Sequence, residues 1–410
     1  MGKLNKDPVM NIGLVGHVDH GKTTLTGALS GIWTDKHSEE LKRGITIKLG
    51  YANSDIYFCE DCDKYIPKNK CDECNNETEF VHTISFVDAP GHESLMATML
   101  SGAAIMDYAV LIIAANEDCP QPQTREHLMA LDIIGLEDII VVQNKIDLVS
   151  KDEAIENYNQ IKEFLSDTKF KDAPIIPVSA QQGANIDVLL EKMMNLFKVP
   201  KRDPKKDTRF YVARSFDVNK PGTPIKDLVG GVIGGVVKQG TINLGDKVTI
   251  KPGRKVVEKN QVRWEEIETE ITGIHSGTEK IESATPGGSM ALSTDLDPAF
   301  VQGDHLLGSV VGKKEELPET KYKLKLDVNL LERVVGSKTD MKIKKLKVNE
   351  QLLLNVNSST TVGVVTKMLK GGIFEIALKI PVCVDEGERV TISRKVKNRF
   401  RLIGYGTIAD

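Results

Sequence analysis

The octapeptide Gly16-His-Val-Asp-His-Gly-Lys-Thr23 directly follows an apolar run, Val9 to Val15, and directly precedes a helical pattern, Thr24 to Leu29. A strand feeding a glycine-bearing loop that opens a helix makes a cradle for phosphate. Backbone N–H groups from Gly16 to Thr23 can converge on an anion that the helix N-terminus also favours. Lys22 is expected to bridge the β and γ phosphates and Thr23 to hold Mg²⁺, with Asp19, His20, Gly21 and Thr24 completing the cradle. Glycine at 16 and 21 lets the backbone approach the ligand where a Cβ would obstruct it. An ordinary glycine-rich turn between strand and helix is the alternative.

Asn144-Lys145-Ile146-Asp147 sits at the end of a second apolar run, Ile139 to Gln143. A carboxylate there can accept from the N1–H and N2–H₂ edge of guanine, which adenine cannot donate. Asp147 therefore selects GTP over ATP, because a site built for a polar edge leaves buried groups unpaired with the wrong base. Asn144 is expected to tie this loop to the phosphate loop and Lys145 to lie along the base. Ser179-Ala180-Gln181 would offer the Ala180 N–H to the guanine carbonyl.

Asp88-Ala-Pro-Gly91 follows the strand pattern Thr83 to Val87. This spacing puts a carboxylate where it can reach Mg²⁺ through water and a glycine N–H where it can sense the third phosphate. Upstream, Lys42-Arg43-Gly44-Ile45-Thr46 supplies Thr46 as a second ligand to the metal. The two segments read as switches released by loss of the γ phosphate. His92 is the candidate for holding the attacking water in line, since phosphoryl transfer depends on orientation more than on proton abstraction. Capping of the following helix is the other use for it. Val18 and Ile45 are expected to form an apolar gate beside His92. Asp19, a negative charge inside an anion-binding loop, makes sense if a second cation lies between it, the Gly44 carbonyl and the phosphates.

Four of the six cysteines follow the pattern Cys59-x2-Cys62-x8-Cys71-x2-Cys74. Each Cys-x2-Cys turn can point backbone N–H groups at thiolate sulfur, and two such turns make a closed structural zinc site. Residues 60–79 are nearly all polar, so metal binding would have to supply their order. Disulfides are the competing explanation and are disfavoured in a cytosolic chain. Cys119 and Cys383 stand alone and read as packing residues.

The elements that must position these groups alternate. Strand patterns near 9–15, 48–58, 80–87, 107–115, 138–143 and 174–179 interleave with helices near 22–30, 92–104, 122–135, 152–168 and 186–197. The expected fold is an α/β doubly wound sheet over residues 1–200, with its loops at the strand C-terminal ends and a zinc-knuckle insert at 56–80. Val199 to Thr208, with two prolines among charges, reads as a linker. Short β segments with glycine turns then predict two β-barrels, over 208–315 and 320–410. No apolar run approaches the ~20 residues of a membrane span, and no secretory signal precedes the first strand, which implies a cytoplasmic protein without a membrane partner. The net charge of −4 argues against indiscriminate nucleic-acid binding. It is uneven, however. Residues 321–410 carry 18 Lys plus Arg against 9 Asp plus Glu, a balance of +9 that leaves −13 for the remainder. A basic final third suits a polyanion, or merely solvates barrel surface and blunts strand edges.

With the phosphate loop, Arg43-Gly-Ile-Thr-Ile47, Asp88-Ala-Pro-Gly-His92, Asn144-Lys-Ile-Asp147 and Ser179-Ala-Gln181 in order, the chain resembles the translational GTPases typified by elongation factor Tu. Within them it is similar to the gamma subunits of archaeal and eukaryotic translation initiation factor 2. Ser30-Gly-Ile-Trp-Thr-Asp-Lys-His37, Ile45 to Ala52, the cysteine insert and Arg214-Ser-Phe-Asp-Val-Asn-Lys-Pro-Gly222 carry that likeness across essentially the whole chain. The resemblance implies GTP hydrolysis and carriage of methionylated initiator tRNA to the small ribosomal subunit, as the core of a complex with alpha and beta subunits. An elongation-type carrier of a special aminoacyl-tRNA and a metabolic regulatory GTPase are the alternatives. Gly230-Gly231 and Gly234-Gly235 would weaken a strand unless something approaches its backbone, and the resemblance suggests a tRNA acceptor end. Glycines serving barrel curvature alone are equally compatible.

Overall fold

A computed structural model describes residues 6–34, 46–220, 222–259, 261–277, 279–332, 342–396 and 399–409, without the side chains of Ile225 and Gln261. The chain divides after Pro200 into two compact units.

The first unit is built on one seven-stranded sheet. Its strands are β1 (Pro8–Gly16), β2 (Gly50–Cys59), β3 (Lys64–Ile66), β4 (Glu79–Asp88), β5 (Tyr108–Ala114), β6 (Ile139–Asn144) and β7 (Ile175–Pro177), in spatial order β3-β2-β4-β1-β5-β6-β7. The pairs from β4 through β1 and β5 to β7 are parallel. Helices α1 (Lys22–Ser30), α2 (Met96–Ala103), α3 (Pro122–Ile134), α4 (Lys151–Ser166) and α5 (Ile186–Leu196) connect the strands. β1 is buried on both faces, as an interior parallel strand must be, and its Met10, Ile12 and Leu14 meet Leu25 and Leu29 of α1 in one core. β1 leads to α1 and lies between β4 and β5, so its C-terminal end is where the strand order reverses. Ligands of such sheets bind there.

The hairpin pair β2–β4 is antiparallel, as the interruption of the alternating pattern implies. The outer edge on this side of the sheet is β3, a strand contributed by the cysteine insert, paired Tyr57↔Ile66, Phe58↔Tyr65 and Cys59↔Lys64. Tyr65 packs against the main core with its ring 4.9 Å from that of Phe58. Burial therefore contributes to the order of a segment whose polar composition points to metal alone.

The second unit holds two barrels. The first comprises β8 (Arg209–Phe216), β9 (Val232–Gln239), β11 (Lys247–Glu258), β12 (Gln261–Ser276), β15 (Ser289–Thr294) and β16 (Val310–Gly312). They run in order β11-β16-β8-β9-β15-β12, and pairing of β12 with β11 closes the ring. Short strands β10 (Ile242–Asn243), β13 (Glu279–Ile281) and β14 (Ser283–Ala284) lie outside it. The second barrel is closed in the order β17-β20-β19-β18-β21-β22, from β17 (Thr320–Leu330), β18 (Gln351–Val356), β19 (Ser359–Met368), β20 (Ile373–Cys383), β21 (Arg389–Val396) and β22 (Arg399–Ala409). Each has its own apolar core. The two are joined by polar contacts: Arg209 Nε lies 3.1 Å from Asp385 Oδ2, and Tyr211 O–H donates to Glu388 Oε1 at 2.9 Å. Burial pushes the Glu388 carboxyl and the Tyr211 phenol up.

Three of the four barrel glycines are required by the barrel itself. A Cβ on Gly230 would collide with Thr294 O, on Gly231 it would meet Val301 Cγ1 and Cγ2 at 2.6 Å, and on Gly235 it would collide with Tyr211 O. Gly234 differs: its neighbours, Arg214 Cβ at 3.7 Å and Phe216 Cε1 and Met290 O at 3.9 Å, leave room for a methyl.

Candidate nucleotide and metal sites

The phosphate loop leaves β1 at Gly16 and enters α1 at Lys22, with Asp19 (φ 61°) and Gly21 (φ 90°) in left-handed conformations. Asp tolerates that region better than most side chains, and it stands exposed here while Val18 is half-buried. A Cβ on Gly21 would run into Asn144 Nδ2. Lys22 is buried, and its ammonium donates to Gly16 O at 3.1 Å and His17 O at 2.6 Å. Thr24 is half-buried in the first turn of α1. Two expectations for this loop change. The Gly16 N–H points away from any phosphate, because it donates to His127 Nδ1 at 2.9 Å. The His20 ring is fully buried with Nδ1 3.0 Å from Ile112 O, an atom that can only accept, so the ring braces the loop from beneath. The His20 carbonyl accepts from Asn144 Nδ2 at 2.9 Å.

Asn144 ties three segments together, as its position at the end of β6 suggests. Its Nδ2 reaches the phosphate loop and its Oδ1 accepts the Ala180 N–H at 3.0 Å. A base carbonyl could therefore take the Ala180 N–H only as a second acceptor. Ser179 is buried and pairs with Ala184, while Gln181 is exposed. Lys145 is in the left-handed region (φ 65°) and starts the short helix Ile146–Leu148, which presents Asp147 to solvent.

At the metal position, Thr23 Oγ1 donates to the buried Asp88 Oδ2 at 2.8 Å and lies 3.2 Å from Thr46 Oγ1. Two hydroxyls and a carboxylate form an all-oxygen donor set that suits a hard divalent cation. Thr34, part of the motif at residues 30–37 but given no role from the sequence, donates to the same Asp88 Oδ2 at 2.7 Å. Gly91 is buried where a Cβ would fill the space between Gly16 O and the His17 carbonyl carbon, each 2.8 Å away, and would overlap Lys22 Nζ. Glycine is thus required at 91, where only a backbone without Cβ fits beside the Lys22 ammonium. His92 is exposed and caps the turn Glu93–Leu95: its Nδ1 accepts from Ser94 N at 3.2 Å and lies 2.7 Å from Ser94 Oγ. With Nδ1 engaged by Ser94, Nε2 is the ring nitrogen left to meet a water. Gly44 and Ile45, with Lys42 and Arg43, lie outside the described residues.

His127 escapes sequence reasoning, and the ring of His20, expected in the cradle, is placed beneath it, because both roles come from burial. Desolvation pushes the His127 imidazole down to about 3, and that of His20 down to about 4. The His17 ring meets that of His20 edge-on, 5.2 Å between centroids, and burial lowers it as well. The only advance signal was the presence of histidines within the loop itself; nothing in the sequence around His127 marks it.

The four insert cysteines come together with their sulfurs within 4.8 Å of one another. Cys59 and Cys74 Sγ are 3.5 Å apart, Cys62 and Cys71 Sγ 3.7 Å. Sulfurs at the corners of a tetrahedron around zinc, each ~2.3 Å from the metal, would be spaced about 3.8 Å. The set fits zinc. Backbone N–H groups of Cys74 and Glu73 point at Cys71 sulfur and pull its thiol down to about 6, which favours the thiolate that a metal needs. Cys383 is buried against Pro318 O and Cys119 is partly buried, both as packing residues. Among the described residues no helix is long and apolar enough to cross a membrane.

Residues 7–199 match the family model described as Elongation factor Tu GTP binding domain, and residues 322–408 match Initiation factor eIF2 gamma, C terminal. The chain is 55% identical over 406 residues to translation initiation factor 2 subunit gamma of Methanocaldococcus jannaschii, covering 99% of this chain and 98% of that one. The corresponding proteins of Methanococcus maripaludis and Pyrococcus horikoshii are 57% identical over 411 residues, with both chains covered fully, and 54% identical over 401 residues, covering 98% of this chain and 97% of the other. Among solved structures, a bacterial selenocysteine-specific elongation factor EF-Sec superposes with a TM-score of 0.72 at 24% identity over 97% of this chain, which spans 58% of that longer one. Elongation factor SelB from Methanococcus maripaludis in complex with the GTP analogue GppNHp gives 0.71 at 23% identity, covering 99% of this chain and 79% of the other. These two likenesses show the fold.

Proposed function

Because the chain belongs to the family of translation initiation factor 2 gamma subunits and is a translational GTPase, we propose that it binds methionylated initiator tRNA in its GTP state and delivers it to the small ribosomal subunit, as the core of a heterotrimer with alpha and beta subunits. The observation that carries this reading is the meeting at Asp88. Its Oδ2 accepts from Thr23 of the phosphate loop and from Thr34, where the chain leaves α1 towards the first switch. A change at the third phosphate can thus reach the segment beyond α1 through one carboxylate.

In this scheme Lys22 turns from the carbonyls of Gly16 and His17 to the β and γ phosphates, and the Gly91 N–H holds a γ oxygen. Thr23 and Thr46 would hold the magnesium ion, with Asp88 behind its waters. Bound there, it neutralises phosphate charge as the bond to the γ phosphoryl group breaks. His92 orients the attacking water through Nε2, with Val18 and Ile45 as the apolar gate. Asp147 reads the guanine edge and Asn144 keeps the base loop in register with the phosphate loop. Asp19 faces solvent where it can share a second cation with the Gly44 carbonyl. Zinc on Cys59, Cys62, Cys71 and Cys74 plays a structural part.

On the first barrel, support for the cargo comes from Phe216, an exposed aromatic whose Cε1 lies 3.9 Å from the point a Gly234 Cβ would occupy. An exposed aromatic face beside strand backbone suits a terminal nucleotide that stacks. Filter retention of methionylated initiator tRNA and methionylated elongator tRNA, each with GTP and with GDP and with or without partner subunits, tests the whole reading. Tight retention of the initiator species only with GTP is expected. Equal retention with both nucleotides refutes the switch, and equal retention of both tRNAs favours an elongation-type carrier.

A further inference from the structure

A residue without a side chain is fixed only through its peptide groups, and Gly16 is fixed on both. Its N–H donates to His127 Nδ1 at 2.9 Å, and its C=O accepts from Lys22 Nζ at 3.1 Å. A side chain could not do this job from within, because a Cβ on Gly16 would collide with Ile112 O. The acceptor comes instead from α3, 111 residues along the chain, and is almost completely buried, 1% exposed. Gly16 O also borders Gly91, whose missing Cβ would lie 2.8 Å from it. His127, Gly16, Lys22 and Gly91 therefore form one chain of contacts from α3 to the place where the third phosphate would be gripped.

We propose that His127 is a positioning residue for nucleotide discrimination: by accepting the Gly16 N–H it fixes the entry of the phosphate loop, sets Lys22 against Gly91, and so favours GTP over GDP. The inference rests on the reading of residues 16–23 and Gly91 as phosphate-binding groups. Its consequence is selective. Gly91 serves the third phosphate alone and Lys22 is shared between the second and the third, while Asn144 and Asp147 hold the base through contacts that His127 does not touch, so loss of the acceptor falls more heavily on the triphosphate than on GDP.

The test uses the full chain, with calorimetric affinities for GDP and for the non-hydrolysable analogue GppNHp. His127→Leu keeps the bulk and removes the acceptor; His127→Asn offers Oδ1 to the same N–H. An unpaired buried donor weakens a state by about tenfold or more. His127→Leu should bind GppNHp about tenfold more weakly with GDP changed less than about threefold, and His127→Asn should recover most of the loss. Equal weakening of both nucleotides, no weakening, or no recovery with asparagine overturns the proposal. Should His127→Leu not fold, ¹⁵N-histidine spectra of the wild-type protein decide: a proton on Nε2 with bare Nδ1 supports the link to Gly16, and a proton on Nδ1 overturns it. Wild-type protein that bound neither nucleotide would refute the phosphate-site reading itself, an outcome distinct from normal binding that ignores His127.

Discussion

Mild acid should destabilise the nucleotide-binding unit through the imidazoles beneath its phosphate loop. His127 and His20 are neutral in the fold, held down to about 3 and about 4 by burial, with Lys22 and neighbouring histidines adding to the effect on His127. In the unfolded chain each titrates near 6.5. Between those values the unfolded state binds more protons than the folded one, so stability rises with pH across the window and falls as pH drops below about 6.5. At pH 5 the unfolded imidazole lies about 1.5 pH units below its pKa, and its protonation favours unfolding by about 2 kcal/mol. That figure hardly depends on the folded value as long as it stays well below 5. His20 adds a comparable amount, reduced by its coupling to its neighbours. The barrel unit carries the opposite sign at Glu388, whose raised carboxyl is protonated more readily in the fold. The chain has two tryptophans, Trp33 and Trp264, so a Trp264→Phe background leaves Trp33, half exposed beyond α1, to report urea unfolding of the first unit alone. A falling urea midpoint from pH 7 to pH 5 is expected, with about half of the fall removed by His127→Asn, which keeps an acceptor for Gly16 but cannot titrate. A flat midpoint, or an identical slope in the variant, refutes the assignment of these rings as buried neutral bases.

Asp147→Asn should exchange guanine for xanthine preference, because an amide can donate where the carboxylate could only accept; unchanged GDP affinity in competition with XDP would defeat the base-recognition scheme. Cys59→Ser should lower bound zinc well below one equivalent in elemental analysis, whereas a full equivalent retained after dialysis would rule out the four-thiolate site. Gly235→Ala should cost about 1–3 kcal/mol through overpacking against Tyr211 O and the Phe210 ring. Gly234→Ala, with space around it, should be nearly silent in the same denaturation assay, and the reverse order would show the barrel packing to be misassigned.

The parallel sheet was legible because its strands are short apolar runs bounded by helical patterns, and residues 16–21, 88–91, 144–147 and 179–181 all lie at or just after strand C-terminal ends. Asn144 could be placed correctly from its motif, and the four cysteines from their spacing. Spacing could not say that the insert adds an edge strand with Tyr65 in the main core, since a polar segment hides one well-placed ring. Nor could it say that residues 199–208, which read as a free linker, are bonded to the first barrel through Gly240 N to Asp203 O at 3.1 Å and Thr241 Oγ1 to Pro204 O at 3.0 Å. The barrel glycines show the same limit. Four glycines leading into and within β9 announce close approach, yet which atoms approach is a property of the surrounding segments.

Sequence alone determined which chemical groups are brought together locally: a glycine-bearing loop between strand and helix, carboxylates and amides at strand ends, and four thiols in two Cys-x2-Cys turns, each in a spacing that a strand end or a tight turn makes into a cluster. These are local relations, set within a few residues of backbone geometry. The tertiary structure decided what lies behind them. His127 reaches Gly16, Thr34 reaches Asp88, and Arg209 reaches Asp385 across distances along the chain that no short pattern encodes. The physical reason is that a buried donor must find an acceptor wherever packing supplies one, and packing is settled by the whole fold at once.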